Sequence, residues 1–199
     1  MRSPMTTGLT ALLVGLHGLQ TAVSVGSGWQ SWTGALWGQR DPLTRIRLGG
    51  RYYASVNDGE WWRVVTGSFV HLDLLHLLTN VVALAVLGRL VEPRRGWRVV
   101  LLLFGGGAVF GSLVSHLSGV AQADGSSGGA YALFAFVLVT GWRERVESMR
   151  YLVALTALFA CGLGLDFVLP WVDVASHVGG GLLGAAVGLR ARMSSGRSL

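Results

Sequence analysis

Six apolar segments constrain this chain more than any other feature. They cover about 9–25, 72–91, 99–117, 128–142, 151–169 and 172–189. A helix needs ~20 apolar residues, within a range of roughly 17–25, to cross the hydrocarbon core of a bilayer. Most of the six fit; the fourth and sixth are short. Only 13% of the residues are charged and 51% are hydrophobic, a balance that excludes an ordinary soluble domain of this length. Backbone polar groups in lipid must be satisfied within the spanning segment, so the segments are expected to be helices. The expected fold class is an all-α integral membrane protein: one membrane domain over residues 1–199, a six-transmembrane-helix bundle with a long interfacial first loop, 27–70. The first apolar run leads into a whole series of others and reads as a retained span rather than a cleaved signal.

The basic residues, all arginine, orient the bundle. The net charge of +6 does not read as a nucleic-acid footprint, because the arginines sit at the ends of apolar runs. Arg2 precedes the first segment; Arg89, Arg94, Arg95 and Arg98 surround the turn between the second and third. Arg143, Arg145 and Arg150 lie between the fourth and fifth, and Arg190, Arg192 and Arg197 follow the sixth. The opposite turns carry only Asp124, Asp166 and Asp173. The positive-inside rule then predicts a multi-pass membrane protein with both termini in the cytoplasm. The first loop breaks the pattern. It lies on the outer side yet contains Arg40, Arg45, Arg47, Arg51 and Arg63, together with Trp29, Trp32, Trp37, Trp61 and Trp62. Indole rings favour headgroup depth, so this loop is expected to lie in the interface, with Glu60 and Arg63 as an internal ion pair. The single cysteine, Cys161, sits in an apolar run and reads as small core filler.

Polar residues inside the apolar segments carry the chemistry. The second opens His71-Leu72-Asp73-Leu74-Leu75-His76-Leu77-Leu78-Thr79-Asn80. At ~100° per residue, His76 and Asn80 share a helix face, whereas His71 and His76 fall about 140° apart. The sixth contains His177 among glycines. Before the fourth comes Gly125-Ser126-Ser127-Gly128, which on its own reads equally as a flexible linker or as a serine at a helix start, where the dipole favours developing negative charge. Counted from the nearest arginines at ~1.5 Å per residue, Ser127, His177 and Asn80 lie roughly 20–24 Å away and His76 roughly 27 Å. The four groups therefore share one layer in the outer half of the bilayer. Ionisable groups at that depth normally face a protein interior or a water-filled cavity, and a helix that starts inside the membrane needs the same cover. Gly180, Gly184 and Gly188 recur every fourth residue, a stripe that lets two membrane helices approach closely; a fourth helix bearing Gly128 as partner would bring His177 towards Ser127.

These residues, in this order, resemble the rhomboid intramembrane serine proteases of the six-span prokaryotic type. The resemblance runs from about Glu60 to Gly188: Glu60-Trp61-Trp62-Arg63 in the first loop, His71 and His76-Leu77-Leu78-Thr79-Asn80, Gly125-Ser126-Ser127-Gly128 with Tyr131, and Ser176-His177-Val178-Gly179-Gly180. Ser176 departs from the alanine or glycine usual before the last histidine. The resemblance implies a Ser–His dyad, with Ser127 as nucleophile rather than Ser126, and His177 as general base that later protonates the leaving amine. It implies that Tyr131 packs on the His177 imidazole, and that His76 and Asn80 stabilise the oxyanion with the Ser127 N–H. His71, Gly125, Gly128, Gly180, Gly184, Glu60 and Arg63 are supporting positions. No acid is placed to orient His177. The implied substrates are membrane-anchored proteins whose transmembrane segment unwinds readily, cut near the outer face. No cofactor, metal or nucleic acid is implied.

Three other readings are weaker. A catalytically inactive rhomboid-like chaperone or scaffold fits poorly with retention of both Ser127 and His177. A metal enzyme using His71, Asp73 and His76 lacks HExxH or any dense ligand cluster. A small transporter would share the glycines and buried polar groups, but no inverted repeat is visible.

Overall fold

The computed structural model describes residues 3–144 and 173–192, together with Ala154 and Ala157. The expected fifth span, 151–169, lies outside the described residues except at those two positions, as do Cys161 and Asp166.

In chain order the elements are α1 (Pro4–Gly26), α2 (Trp32–Trp37), α3 (Pro42–Arg47), β1 (Arg51–Tyr52), α4 (Tyr53–Asn57), α5 (Arg63–Thr66), a 3-10 turn at Gly67–Phe69, and α6 (Leu74–Arg95). There follow α7 (Trp97–Leu101), a π turn at Leu102–Gly106, α8 (Gly107–Leu117), β2 (Gln122–Ala123), α9 (Ser127–Arg143) and α10 (Val174–Arg190). Among the described residues, three helical runs are long and apolar enough to cross a membrane: Pro4–Gly26, Leu74–Arg95 and Trp97–Leu117. α9 and α10 have 17 residues each, the short end of the spanning range.

Local chemistry sets the helix ends. Asp73 caps α6 by accepting the His76 N–H at 2.7 Å, and Gly96, at φ +85°, closes it. Asp173 caps α10 through the Ser176 N–H at 3.1 Å. α1 starts with Pro4 in its first turn and takes its cap from another helix: the Glu92 carboxylate accepts the N–H groups of Met5 (2.9 Å) and Thr6 (2.8 Å) and the Thr6 hydroxyl (2.7 Å). A buried carboxylate on a helix N-terminus satisfies orphan donors and faces the positive end of the dipole.

α9 is the hub. Its Ala132, Leu133 and Phe136 join Leu13 of α1, Leu77, Leu84, Leu87 and Val91 of α6, and Val100, Leu103 and Phe104 of the α7 region in one buried cluster. Small residues let its neighbours come close. A side chain at Gly180 or Gly184 of α10 would run into the Gly128 and Ala132 carbonyls of α9, and one at Gly129 into the Phe104 carbonyl, where the π turn swells the helix. On the other flank of α10, Gly179 lies against Val114 of α8, and Gly111 lies against the Ser176 carbonyl. Meanwhile Leu75, Val82, Leu117, Leu182 and Leu189 point outward, between 58% and 74% exposed. An apolar exterior around a polar-containing interior suits a protein solvated by lipid.

The first loop is built from α2 to α5 and pinned by charged side chains. β1 pairs antiparallel with β2, Arg51 opposite Ala123 and Tyr52 opposite Gln122. This bridge ties the first loop to the segment that leads into α9.

Candidate active site

Ser127 is the first residue of α9, and the turn before it is held from two sides. Gly125, at φ +107°, donates its N–H to the Gly67 carbonyl at 2.9 Å. A Cβ there would meet His76 Cε1 at 2.5 Å, so the left-handed backbone and the imidazole beside it both require glycine. Asp124, one residue earlier, accepts Arg45 Nη1 at 2.9 Å on one oxygen and the Arg51 N–H at 2.9 Å on the other. Its side chain is 1% exposed. Burial outweighs the attraction of Arg45 and pushes its pKa up to about 6.

Helix α10 brings His177 to this turn. His177 Nε2 and Ser127 Oγ share a hydrogen bond of 2.7 Å. The Tyr131 ring, one helical turn beyond Ser127, stacks on the His177 imidazole with centroids 4.2 Å apart and planes 15° from parallel. Both Ser176 and His177 are buried. A serine hydroxyl on an imidazole nitrogen at this distance can lose its proton as the oxygen attacks. The first turn of α9 supplies backbone N–H groups unused within the helix. Negative charge forming near them is favoured by the dipole.

The other serine faces elsewhere. Ser126 Oγ lies 3.3 Å from His71 Nε2, away from the Ser127–His177 pair. His71 is fully buried, and burial, with His76, His17 and Arg40 adding to it, holds its imidazole well below its ordinary pKa. The expected 140° separation of His71 and His76 does not occur. α6 begins only at Leu74, so His71 precedes the helix and its ring meets that of His76 edge-on at 5.3 Å. Asn80 is buried in α6 as expected. Its amide donates to the His76 carbonyl at 2.7 Å, one turn back, and among the described residues its Oδ1 has no hydrogen-bond partner. The Glu60–Arg63 pair forms at 2.5 Å. Arg63 also donates to the carbonyls of Ile46 (2.7 Å) and Gly50 (2.9 Å), so the pair braces the first loop.

The profile of the Rhomboid domain family matches residues 58–194, a range that includes His71, His76, Asn80, Ser127, Tyr131 and His177. The chain belongs to the rhomboid family. It is 26% identical over 167 residues to Rhomboid protease GluP of Bacillus subtilis (strain 168), covering 81% of this chain and 33% of that protein. It is 31% identical over 151 residues to RHOMBOID-like protein 5 of Arabidopsis thaliana (73% and 48%). It is 33% identical over 141 residues to Rhomboid protease GlpG of Yersinia pestis (strain Pestoides F), at 69% and 51%. The chain thus spans a third to a half of the length of these relatives. Rhomboid membership and the apolar helices together make this an integral membrane protein with a helical bundle.

Sequence reasoning missed a set of buried groups beside the site, several of them ahead of the matched range. Arg40 is 1% exposed; it donates to the His71 carbonyl at 2.9 Å and to Thr21 Oγ1 at 2.8 Å, and lies 3.3 Å from His17 Nδ1. Burial lowers its pKa to about 10, which leaves it charged at neutral pH. Arg51, wholly buried, donates to the Val120 carbonyl at 3.0 Å and to Ser115 Oγ at 2.8 Å. His116 packs against Tyr53 and Trp61. An arginine in a loop rich in tryptophan gives no sequence signal of burial, because its acceptors are carbonyls and hydroxyls that only the tertiary fold brings near.

Proposed function

We propose that this protein is an intramembrane serine endopeptidase that cleaves transmembrane segments of membrane-anchored proteins with a Ser127–His177 dyad. The observation that carries this reading is the 2.7 Å hydrogen bond between Ser127 Oγ and His177 Nε2, with Tyr131 stacked on the imidazole. Two of the similar proteins are named as rhomboid proteases, which supports the same reaction class.

In this mechanism neutral His177 accepts the Ser127 proton at Nε2 while Oγ attacks the scissile carbonyl. The resulting imidazolium then protonates the departing amine, and water, deprotonated by the same histidine, releases the acyl group. Tyr131 limits rotation of the ring. The oxyanion lies near the start of α9, where the Ser127 N–H and the side chains of His76 and Asn80 serve as donors. For Asn80 this requires its amide to turn from the His76 carbonyl or to use its second N–H. The substrate helix must unwind locally, since its carbonyls are otherwise held in backbone bonds. The bundle has six spans, with both termini on the arginine-rich, cytoplasmic side.

A serine-directed fluorophosphonate probe tests the dyad without knowledge of a substrate. Wild type is expected to label at Ser127, and His177→Ala to label at least a hundredfold more slowly. Labelling at Ser126, or equal rates in the two proteins, would overturn the assignment.

A further inference from the structure

At the end of the bundle far from Ser127, a cleft of about 420 Å³ opens between the start of α7, the middle of α9 and the end of α10. Its size lies within the usual range for small-ligand sites, about 300–1,000 Å³. Its floor is apolar, formed by Val99, Phe136 and Val187, and its rim carries Arg95, Arg190 and Arg192. The rim arginines differ in what they do. Arg95 is engaged on both sides, donating to the Arg192 carbonyl at 2.8 Å and pairing with Glu144. Arg190 and Arg192 are exposed, and among the described residues neither side chain forms an ion pair.

The C-terminal carbonyls of α10 would ordinarily offset such a charge. Here Arg143 donates to those of Gly188 (2.5 Å) and Ala191 (3.1 Å), so the negative end of the helix is already covered. The site is therefore a cationic rim over an apolar floor at the surface of a membrane helix bundle. We propose that this cleft binds an anionic phospholipid, the phosphate on Arg190 and Arg192 and an acyl chain against Phe136 and Val187. Guanidinium groups match phosphate geometry with paired N–H donors, and basic pockets between transmembrane helices take anionic headgroups. A free phosphate would leave the apolar floor without an occupant.

The test uses the full chain in neutral detergent, titrated with dioleoyl phosphatidylglycerol, dioleoyl phosphatidylcholine or glycerol 3-phosphate, with thermal unfolding as the readout. Phosphatidylglycerol is expected to raise the melting temperature saturably, by about 3 °C at ten times its Kd, and the other two to leave it near the lipid-free value. The double variant Arg190→Gln/Arg192→Gln and the cleft-filling variant Ala186→Trp should each fold, as judged by their lipid-free melting, and each lose that shift. Equal shifts with both phospholipids, or a full shift retained in both variants, would overturn the site. A full shift with glycerol 3-phosphate would overturn the lipid assignment in favour of a free anion.

Discussion

Ser127 and His177 are separated by 50 positions in the chain, yet they meet because each sits in the first turn of its own helix. The proposed chemistry makes both indispensable. Ser127→Ala and His177→Ala should each lower cleavage by about a thousandfold or more, while melting temperatures stay close to wild type, because neither side chain carries the packing of α9 on α10. The Tyr131 stack should act through His177. Tyr131→Ala should reduce kcat about tenfold, as expected from the loss of one aromatic stack, with a smaller change in KM. An unchanged kcat would show that the ring does not hold the imidazole. Asp124 gives a pH signature. Its folded value of about 6 lies above its ordinary 3.8, so the folded state favours the protonated form. That contribution to stability is full below about pH 3.8 and fades as pH rises through about 6. Asp124→Asn, neutral at every pH, lacks it. The melting temperature of wild type relative to the variant should therefore fall between about pH 4 and 6 and level off above, and a constant difference would refute the raised value.

At the scale of elements, the close contact of α9 with α10 decides whether the dyad forms. Gly180 has no room for a side chain, because the Gly128 carbonyl occupies that position, and backbone cannot move aside as a flexible side chain can. Gly180→Val should cost of order 1–3 kcal/mol or more and separate Ser127 from His177, so activity and melting temperature should fall together; wild-type values in both would contradict the contact. This contact was legible in the sequence, since a four-residue glycine period marks one face of an apolar helix. The first loop was legible only as composition. Its tryptophans and arginines suggested an interfacial layer. In the structure Arg40, Arg51 and Arg63 point inward, to carbonyls and hydroxyls whose positions depend on tertiary folding. The same limit explains His71: the helical wheel placed it on α6, but the Asp73 cap starts the helix after it.

The whole molecule joins an apolar exterior, an interior layer of polar side chains and a short helix that begins at Ser127, the proposed nucleophile. The proposed site needs protein around the irregular turn Gly125–Ser126, since unsatisfied backbone in hydrocarbon is costly. The first loop provides that cover through the Gly67 carbonyl, the Arg45 and Arg51 donors to Asp124 and the β1–β2 bridge. The most direct measurement is cleavage in a bilayer. Purified wild type and Ser127→Ala, each reconstituted in liposomes with a single-span test substrate, would be compared for a cut near the end of the substrate helix that lies level with Ser127. A Ser127 nucleophile predicts that cut with wild type and none with Ser127→Ala. Equal cleavage by both proteins would contradict it.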